Sequence, residues 1–431
     1  MAAIVFRRTA TAATLLFLVL LSSAQAFAQA PAGQPTFARD IAPIVQNKCQ
    51  SCHRVGQMAP MSLVTYNEVR PYARAIKAKV AARQMPPWGV DRTIGIQHFK
   101  YDSSLTDSEI ETISKWADGG APLGNPADMP PLKQFDDSNP WTLPGGEPDL
   151  IVTAPPYTTK ANAHETWTEL YTDIPLTEDR WVAAYQSKPS KEGTQVVHHM
   201  VGYIVLPDGT TDGYGLHYVP GKPATVYPDG AGFLLRKGSK IKFDMHYSSV
   251  GREVTDRPMV GFRLYPKGYE PANKVVRLNW ASLGDLDIPA GEANARSDGY
   301  ALIDHNFRLM TYLPHMHIRG KRQCIELIYP TTGRVEPLNC FNFNFMWQLV
   351  YQYAPDAQPL IPKGTILHIV NFHDNSAGNR LNPDPKNWAG FGQRTVDDMA
   401  IAMGEGMKLS DEEYAKAVKD RRSKPSLAST P

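Results

Sequence analysis

The stretch IKFDMHY, residues 241–247, alternates apolar and polar side chains. Because successive residues of a β-strand point to opposite faces, this pattern predicts a strand that turns its apolar members toward a core. His246 then faces the other way, toward solvent or a cleft. Similar short alternations recur beyond residue 149, separated by Pro-Asp-Gly and Pro-Lys-Gly turns, and together they predict antiparallel β-sandwiches.

The pattern of apolar residues changes along the 431 residues of the chain. Apolar residues recur at helical spacing before residue 122, a Pro/Gly-rich stretch follows, and the alternation then runs long enough for two sandwiches. The expected fold is a small all-α domain followed by two antiparallel, jelly-roll-like β-sandwiches. The expected segments are a signal peptide over 1–28, a helical domain over 33–122, a linker over 123–145, sandwiches over 146–268 and 269–409, and a short helix with a disordered tail over 410–431.

The first residues have the three regions of a signal peptide. Arg7 and Arg8 precede an apolar run over residues 15–21, and small residues follow, so cleavage is expected after Ala26 or Ala28. A retained membrane anchor is the alternative, although the apolar run is shorter than a bilayer-spanning helix requires. We expect a periplasmic or secreted protein with no membrane span after cleavage.

The charge of the chain argues against one class of partner. Residues 1–28 contain two basic residues and no acidic ones, so cleavage takes the formal net charge from +2 to zero. A neutral chain lacks the positive field that attracts a phosphate backbone. We therefore expect no nucleic-acid partner.

Cys49-Gln50-Ser51-Cys52-His53 has the C-x-x-C-H spacing of covalent haem attachment. Two thiols bond to the haem vinyl groups, and the adjoining imidazole takes one face of the iron. A redox dithiol or a zinc knuckle is the alternative, but no second zinc-ligand pair lies nearby. Residues 33–122 resemble class I cytochromes c with one covalent haem, because helical spacing precedes the motif and a capping box, Thr106-Asp-Ser-Glu109, opens a later helix.

Met85 is the expected sixth ligand of the haem iron. It lies in Gln84-Met85-Pro86-Pro87-Trp88, where prolines stiffen the loop, and a methionine opposite a histidine suits electron transfer. Met58 and Met61 follow His53 too closely to reach the other face of the ring. A methionine that only fills the core is the alternative for Met85.

Five histidines fall into three clusters, His198-His199, His246 and His315-Met316-His317. Residues i and i+2 of a strand share a face, so the His-x-His pair can chelate one metal. The adjacent pair needs a bulge, a strand end or different ring nitrogens to do so. Clustered imidazoles without cysteine or enough carboxylates favour copper or zinc, and a methionine thioether favours Cu(I). A single histidine is more often structural, so the clusters carry this prediction.

Four short stretches around these histidines resemble the copper type II, ascorbate-dependent monooxygenases, the family of peptidylglycine α-hydroxylating monooxygenase and dopamine β-monooxygenase. The likeness covers about residues 146–409, and the order of the stretches matches the family. The four stretches are Val197-His198-His199-Met200, Met245-His246-Tyr247, His315-Met316-His317 followed by Gly320, and Thr395-Val396-Asp397-Asp398-Met399.

The resemblance implies two copper ions with different roles. The residues carried over to an electron-storing copper site are His198, His199 and His246. The residues carried over to the catalytic site, where copper binds O2 and attacks a substrate C–H bond, are His315, His317 and Met399. The implied function is an exported copper-dependent monooxygenase, an oxidoreductase that adds one oxygen atom to an unidentified organic substrate.

The fused haem offers a path for electrons into the copper sites. A periplasmic donor would then replace or supplement an ascorbate-like reductant. One rival function is a non-catalytic copper-binding or electron-transfer cytochrome of the periplasm. A second rival is a zinc hydrolase that uses the same histidines, but no H-E-x-x-H motif supplies its general base.

The chain also departs from the peptide-amidating members of the family. They hold the substrate carboxylate with an arginine two places before the His-x-His pair, where this chain has Leu313. They use an asparagine and a tyrosine after the methionine, where this chain has Ile401 and Met403. Peptide amidation is therefore not expected. Asp398 stands where the family often has glutamate, which leaves a core role as the alternative for Met399.

Cys324 and Cys340 are expected to form a disulfide, because thiols of exported proteins usually pair. A bridge over so short a loop is worth about 3 kcal/mol. Copper ligation by these thiols is the alternative. His373 lies in a polar stretch that resembles bacterial relatives, and is expected either to support a copper ligand or to lie on a surface loop.

Overall fold

The structure is a computed structural model that describes residues 33–163, 165–280 and 284–423. The predicted signal peptide and residues 424–431 of the predicted tail lie outside the described residues. Of the residues described, 36% are in strands and 16% in helices, so the protein is mostly β. Within these ranges, no helix is long and apolar enough to cross a membrane.

The helices are short, and most of them precede residue 129. The predicted capping box is present: the Thr106 hydroxyl accepts a hydrogen bond from the Glu109 amide at 3.1 Å, at the start of the fourth α-helix. The α-helices are α1 Ala42–Lys48, α2 Tyr66–Val69, α3 Ala73–Ala81, α4 Asp107–Asp118 and α5 Asp411–Ser423. A π-helical turn spans Phe37–Ile41, and 3-10 turns span Arg70–Tyr72, Pro126–Asp128 and Glu192–Gln195.

The prediction of a small all-α domain is wrong. Residues 82–106, between α3 and α4, contain no helix, because prolines and glycines interrupt the helical spacing. The backbones of Val90 and Phe99 instead form antiparallel bridges with Phe341 and Tyr353 of the β-rich body. Val90 and Phe99 are buried in a hydrophobic core of that body. The segment between the helices therefore packs as part of the sheets and does not complete a helical domain.

The β-rich body contains strands β1 to β22. The strands before residue 265 are β1 Leu150–Thr153, β2 Tyr157–Thr159, β3 Thr166–Asp173, β4 Arg180–Lys188, β5 Val197–Val205, β6 Thr211–Tyr218, β7 Thr225–Val226, β8 Ala231–Leu235, β9 Lys240–Tyr247, β10 Val254–Asp256 and β11 Met259–Leu264. The later strands are β12 Asn273–Trp280, β13 Asp287–Ile288, β14 Ala295–Leu302, β15 Asn306–Met316, β16 Gly320–Tyr329, β17 Arg334–Asn342, β18 Tyr351–Gln352, β19 Leu360–Ile361, β20 Ile366–His373, β21 Ala389–Gly390 and β22 Ala400–Leu409.

One ten-stranded sheet runs through both halves of this body. Its order is β1-β11-β4-β8-β12-β22-β15-β18, and β7 and β19 pair with β4 and β15 beside that path. The two halves join where β8 and β12 pair in parallel, with Ala231 opposite Asn273. Two four-stranded sheets, β3-β9-β5-β6 and β14-β20-β16-β17, accompany it, with the short pairs β10-β2 and β13-β21.

Each four-stranded sheet packs against one part of the ten-stranded sheet. Phe243 of β9 shares a core with Phe262 of β11, and Ile369 of β20 shares another with Phe307 of β15. These two-layer cores make the body compatible with the predicted β-sandwich architecture. The ten-stranded sheet therefore contributes residues to both cores. Strand patterns alone do not reveal this feature.

The predicted disulfide is present between Cys324 and Cys340, which lie directly opposite each other on β16 and β17. The expected C-terminal helix is also present as α5. A capping pair begins it, since the Glu413 amide donates to the Ser410 hydroxyl at 3.1 Å and the Ser410 amide donates to the Glu413 carboxylate at 2.8 Å.

Candidate metal centres

His198, His199 and His246 form one buried cluster. One potential ligand atom from each of the three side chains lies within 4.8 Å of the others. The Nδ1 atoms of His198 and His246 are 3.2 Å apart, and those of His199 and His246 are 3.3 Å apart. His246 is fully buried rather than facing open solvent. Three converging imidazoles of this kind are a donor set for copper or zinc.

A β-bulge brings the adjacent histidines together. β5 and β9 are neighbours, and His199 lies opposite His246 in their register. The register shifts between Val197 and His199, so His198 is the extra residue of the bulge. A regular strand would point the two side chains to opposite faces, and the bulge redirects one of them. A bulge is one of the arrangements that would let His198 and His199 bind the same metal ion.

Other side chains enclose the three-histidine cluster. The ring of Trp167 stacks on His246, with centroids 4.0 Å apart, and the ring of Trp347 lies 5.0 Å from that of His198. The Glu165 carboxylate contacts Nε2 of His246. Trp167 lies directly opposite His246 on β3, whereas Trp347 comes from the distant second half of the chain. Sequence reasoning missed all three, because only the pairing of distant segments brings them to the histidines.

The electrostatics of the cluster favour neutral imidazoles. Burial lowers the pKa of His198 to about 4, and burial followed by the charges of neighbouring histidines holds the pKa of His199 well below its usual range. Burial opposes ionisation of Glu165, but its hydrogen bond with His246 lowers the pKa of that carboxyl. A metal binds the neutral form of histidine, so His198 and His199 need not lose a proton before ligation at neutral pH.

His315 and His317 lie at the end of β15, with ring centroids 5.5 Å apart. His315 pairs with Ile401 of β22, and Met399 precedes Ile401 by two residues. Opposed residues of neighbouring strands point to the same side, so Met399 lies on the sheet face that carries His315. Met399 is buried in a cluster with Ile401 and Leu313. The three predicted ligands of the second site therefore lie at the same end of the neighbouring strands β15 and β22.

Hydrogen bonds orient both of these imidazoles. Nδ1 of His315 lies 3.3 Å from the Gln348 side-chain oxygen, and Nδ1 of His317 lies 3.3 Å from the Asp397 carbonyl oxygen. Nε2 of each ring is then the nitrogen that remains to bind a metal. A carbonyl acceptor on the far ring nitrogen is the usual support of a metal-ligating histidine. Burial also lowers the pKa of His315 to about 4, which keeps this imidazole neutral.

Asp398 is fully buried beneath the second site. Its carboxylate accepts hydrogen bonds from the backbone amides of His317 at 2.9 Å and Arg319 at 3.0 Å. It also lies 3.3 Å from Nε2 of His373, which in turn lies 3.1 Å from the Met399 carbonyl oxygen. Asp398 thus links the His-x-His segment to Met399. His373 is fully buried rather than on a surface loop.

The two histidine sites approach each other through packed apolar residues. Val201, two residues after His199 on β5, belongs to the same buried cluster as Met399 and Leu313. His217 of β6 lies opposite Val201 and is 1% exposed. Burial lowers the pKa of His217 to about 3. Sequence reasoning did not single out this histidine, because it stands alone in the sequence without a neighbouring ligand type.

The C-x-x-C-H residues lie just after α1. Cys49 and Cys52 are free thiols, and burial raises the pKa of Cys49 to about 12. Nδ1 of His53 lies 3.2 Å from the Met61 carbonyl oxygen, which leaves Nε2 free. Burial lowers the pKa of His53, so the ring is neutral at neutral pH. A free Nε2 on a neutral, oriented ring is what axial ligation of haem iron requires.

A cavity of about 1020 Å³ lies between these helices and the β-rich body. Cys49, Cys52 and His53 lie in its wall on the helical side, and His198 and Trp347 lie in its wall on the β-rich side. The cavity is as large as the largest ligand pockets of typical proteins. Met85 lines it, but so do Met58 and Met61, so lining alone does not single out one sixth ligand.

Comparison with known proteins adds no functional assignment. No protein-family model matches the chain, and no curated protein sequence matches it. Among solved structures, capsid protein P2 of bacteriophage PM2 is 9% identical with a TM-score of 0.31, over 61% of this chain and 98% of that chain. VP54 of PBCV-1 is 7% identical with a TM-score of 0.23, over 60% and 93% of the two chains. A protein described as an alpha-L-fucosidase of Bacteroides ovatus is 10% identical with a TM-score of 0.18, over 69% and 43%. Likenesses this weak carry no argument about fold or activity.

Proposed function

We propose that the chain is an exported copper-dependent monooxygenase that hydroxylates a C–H bond of an organic substrate with O2. Electrons would enter through a c-type haem. The observation that carries this proposal is the shared cavity, which has Cys49, Cys52 and His53 on one side and His198 of the three-histidine cluster on the other. An electron carrier in that cavity would lie beside the metal centre that it supplies.

The residues around the cavity fit a covalently attached haem. Cys49 and Cys52 are unpaired thiols in the cavity wall, and His53 keeps Nε2 free while Met61 orients its ring. Met85 stands in the same wall and is the proposed sixth ligand. When bound, such a haem supplies a one-electron carrier whose potential a histidine/methionine pair raises.

The residues of the histidine clusters fit two copper ions. His198, His199 and His246 offer three converging imidazoles, and the second site adds His315, His317 and Met399. When bound there, copper supplies one-electron storage at the first site and O2 activation at the second. Cys324 and Cys340 are paired in a disulfide, and Cys49 and Cys52 are the thiols proposed to bond to the haem, so the proposal leaves no thiol as a copper ligand.

The protein side chains prepare the second site before any substrate arrives. Gln348 and the Asp397 carbonyl hold the two imidazoles, and Asp398 holds the backbone that carries them. Leu313 and Ile401 pack beside Met399 in a buried apolar cluster. Apolar surroundings of this kind would favour an apolar portion of a substrate over a charged one.

The disulfide supports the proposed export. Structural disulfides persist in oxidising compartments and are rare in the reducing cytosol. Cys324 and Cys340 are 8% and 5% exposed, so the bridge is part of the packed body rather than a surface redox pair. A periplasmic or secreted location also suits haem attachment to free thiols and a periplasmic electron donor.

O2 consumption tests the proposed activity. Full-length protein with haem and copper, given ascorbate, is expected to consume O2, and Met399→Ala is expected to abolish this while leaving the haem absorption spectrum intact. Met403→Ala is the matched control, because it removes a methionine from the same buried cluster without removing a proposed ligand. Full O2 consumption in Met399→Ala would contradict the assignment of the second site.

The same experiment distinguishes the rival function. A non-catalytic copper-binding or electron-transfer cytochrome would bind copper and show a redox-active haem, but its wild-type form would consume no O2 above that of copper-free protein. Copper that remains inert under O2 with ascorbate and with dithionite-reduced haem would favour that rival.

A further inference from the structure

The wall of the large cavity carries uneven charge. Glu405 is its acidic member, and it is engaged within the β-rich body, where it accepts a hydrogen bond from Tyr227 at 3.1 Å and lies 3.5 Å from Arg277. The basic members of the wall are Lys48, Arg54, Lys79, Lys100 and Lys222. This excess of positive charge favours an anionic occupant.

Lys222 is a cation that the β-rich body contributes to this wall. Its ammonium donates a hydrogen bond to the Thr225 hydroxyl at 2.9 Å. Within the part of the chain that the structure describes, no carboxylate forms an ion pair with it at 4.0 Å or less. The ammonium also lies 5.3 Å from the centre of the Tyr185 ring and interacts electrostatically with Glu405. An ammonium has three donors, so donor capacity remains for a ligand. Burial lowers the pKa of Lys222 to about 8, which leaves it cationic at neutral pH.

A tight turn fixes the position of Lys222 between β6 and β7. The Lys222 amide donates to the Val219 carbonyl at 3.0 Å, which closes a turn with Pro220 and Gly221 at its centre. Gly221 has a φ of 82°, which a type II turn requires at its third residue and which glycine adopts without strain. The cation is therefore held in place before a ligand binds, which reduces the entropy lost on binding.

The chemistry of a covalent haem places its acids away from its thioether bonds. The vinyl groups that bond to Cys49 and Cys52 lie on one side of the macrocycle, and the two propionates lie on the opposite side. A haem attached at the helical wall of the cavity would therefore extend its propionate edge into the cavity. Lys222 lies in the same cavity on the wall of the β-rich body.

We infer that Lys222, assisted by Thr225, binds a propionate carboxylate of the covalently attached haem. The Thr225 hydroxyl accepts from Lys222 and so holds the ammonium in the cavity wall, where it can meet the carboxylate. This inference rests on the proposed function, and it adds that the β-rich body binds the cofactor that the helical segment attaches.

The midpoint reduction potential of the haem at pH 7 tests this inference in full-length, haem-loaded protein. Lys222→Gln is expected to lower the potential, because loss of a nearby positive charge favours the more positive ferric form. A fall of about tenfold in the equilibrium constant for reduction of ferric to ferrous haem corresponds to a potential lower by about 59 mV for one electron. Lys222→Arg keeps the charge and is expected to retain a potential near that of the wild type.

Lys79→Gln is the matched control, because Lys79 also lines the cavity but is exposed and donates to Gln84 at 2.8 Å. Its potential is expected to stay at the wild-type value. If Lys222→Gln yields no soluble protein, Thr225→Val takes its place and is expected to lower the potential in the same direction by a smaller amount.

Two outcomes overturn the inference. One is an unchanged potential in Lys222→Gln or, where that variant is insoluble, in Thr225→Val. The other is a fall of equal size in Lys79→Gln. In either case, covalent haem in the wild-type protein leaves the proposed function standing. A wild-type protein that matures without covalent haem would instead contradict the proposed haem attachment and this inference with it.

Discussion

The indole ring of Trp347 lies 5.0 Å from the imidazole ring of His198, and both side chains line the cavity that contains the C-x-x-C-H residues. Trp347 belongs to the second half of the β-rich body, whereas His198 belongs to the first half. The contact therefore joins the three-histidine cluster, the second half of the chain and the cavity in one place.

Trp347→Leu is expected to slow electron transfer from the haem to the three-histidine centre. The substitution removes the side chain that packs against a proposed ligand at the cavity wall, and loss of such a supporting contact costs about tenfold or more. Stopped-flow absorbance of prereduced haem after mixing with O2 measures the rate. Trp388→Leu is the control, because Trp388 is 68% exposed and does not line this cavity. Equal rates in all three proteins would show that Trp347 has no part in the transfer.

Asp398→Asn is expected to weaken copper binding at the second site by about tenfold to a hundredfold. Asp398 accepts from the backbone amides that position His317, and an asparagine offers one acceptor oxygen in place of two. Titration of the protein with Cu(I), in competition with a chelator of known affinity, measures the affinity. Asp118→Asn is the control, since its carboxylate is exposed and pairs with Lys77, far along the chain from both histidine sites. Asp398 would have no positioning role if its variant bound copper as tightly as the control.

Glu405→Gln is expected to destabilise the protein by about 3 kcal/mol, because it removes the buried anionic partner of Arg277 and leaves only the more exposed Asp212 beside that charge. The side chains of Arg277 and Glu405 are 2% and 4% exposed. The shift of the urea unfolding midpoint measures the loss. Glu178→Gln removes an exposed pair with Lys267 and is expected to change stability by less than about 1 kcal/mol. Similar midpoints for both variants would refute the expectation.

Replacing both Cys324 and Cys340 with alanine is expected to cost about 3 kcal/mol of stability, since the bridge closes a short loop in the unfolded chain. The two residues are 16 positions apart. Their side chains also pack with Val370, so the alanine pair loses some apolar contact as well. Thermal unfolding of the double variant, beside wild type treated with reductant, measures the effect. A double variant as stable as the oxidised wild type would contradict this value.

The local patterns of the sequence predicted single strands and the clustering of three histidines better than the overall fold. Strand alternation identified β9, and the His198-His199 pair required a departure from a regular strand, which the bulge after Val197 supplies. These features depend on residues close in sequence. The hydrogen bond of Gln348 to His315 and the ring contact of Trp347 depend instead on the pairing of distant segments. No spacing rule applied to one sequence identifies such partners.

The all-α prediction failed for a related reason. The apolar residues around Cys49 have helical spacing, but this spacing does not continue through all of residues 33–122. The segment after α3 contains prolines and glycines and forms no helix. The backbone of that segment forms β-bridges with Phe341 and Tyr353, which lie more than 200 residues later in the chain. The ten-stranded sheet was equally hidden, because the parallel pairing of β8 with β12 joins two halves that composition separates.

Iron and copper content per chain tests the central claim most directly. Protein matured in a bacterial periplasm would be analysed as wild type and as the variants His246→Ala and His315→Ala. The proposed function predicts one iron and two coppers in the wild type, with each variant losing one copper and keeping its iron. Zinc in place of copper, or empty histidine sites in protein that carries haem, would contradict it.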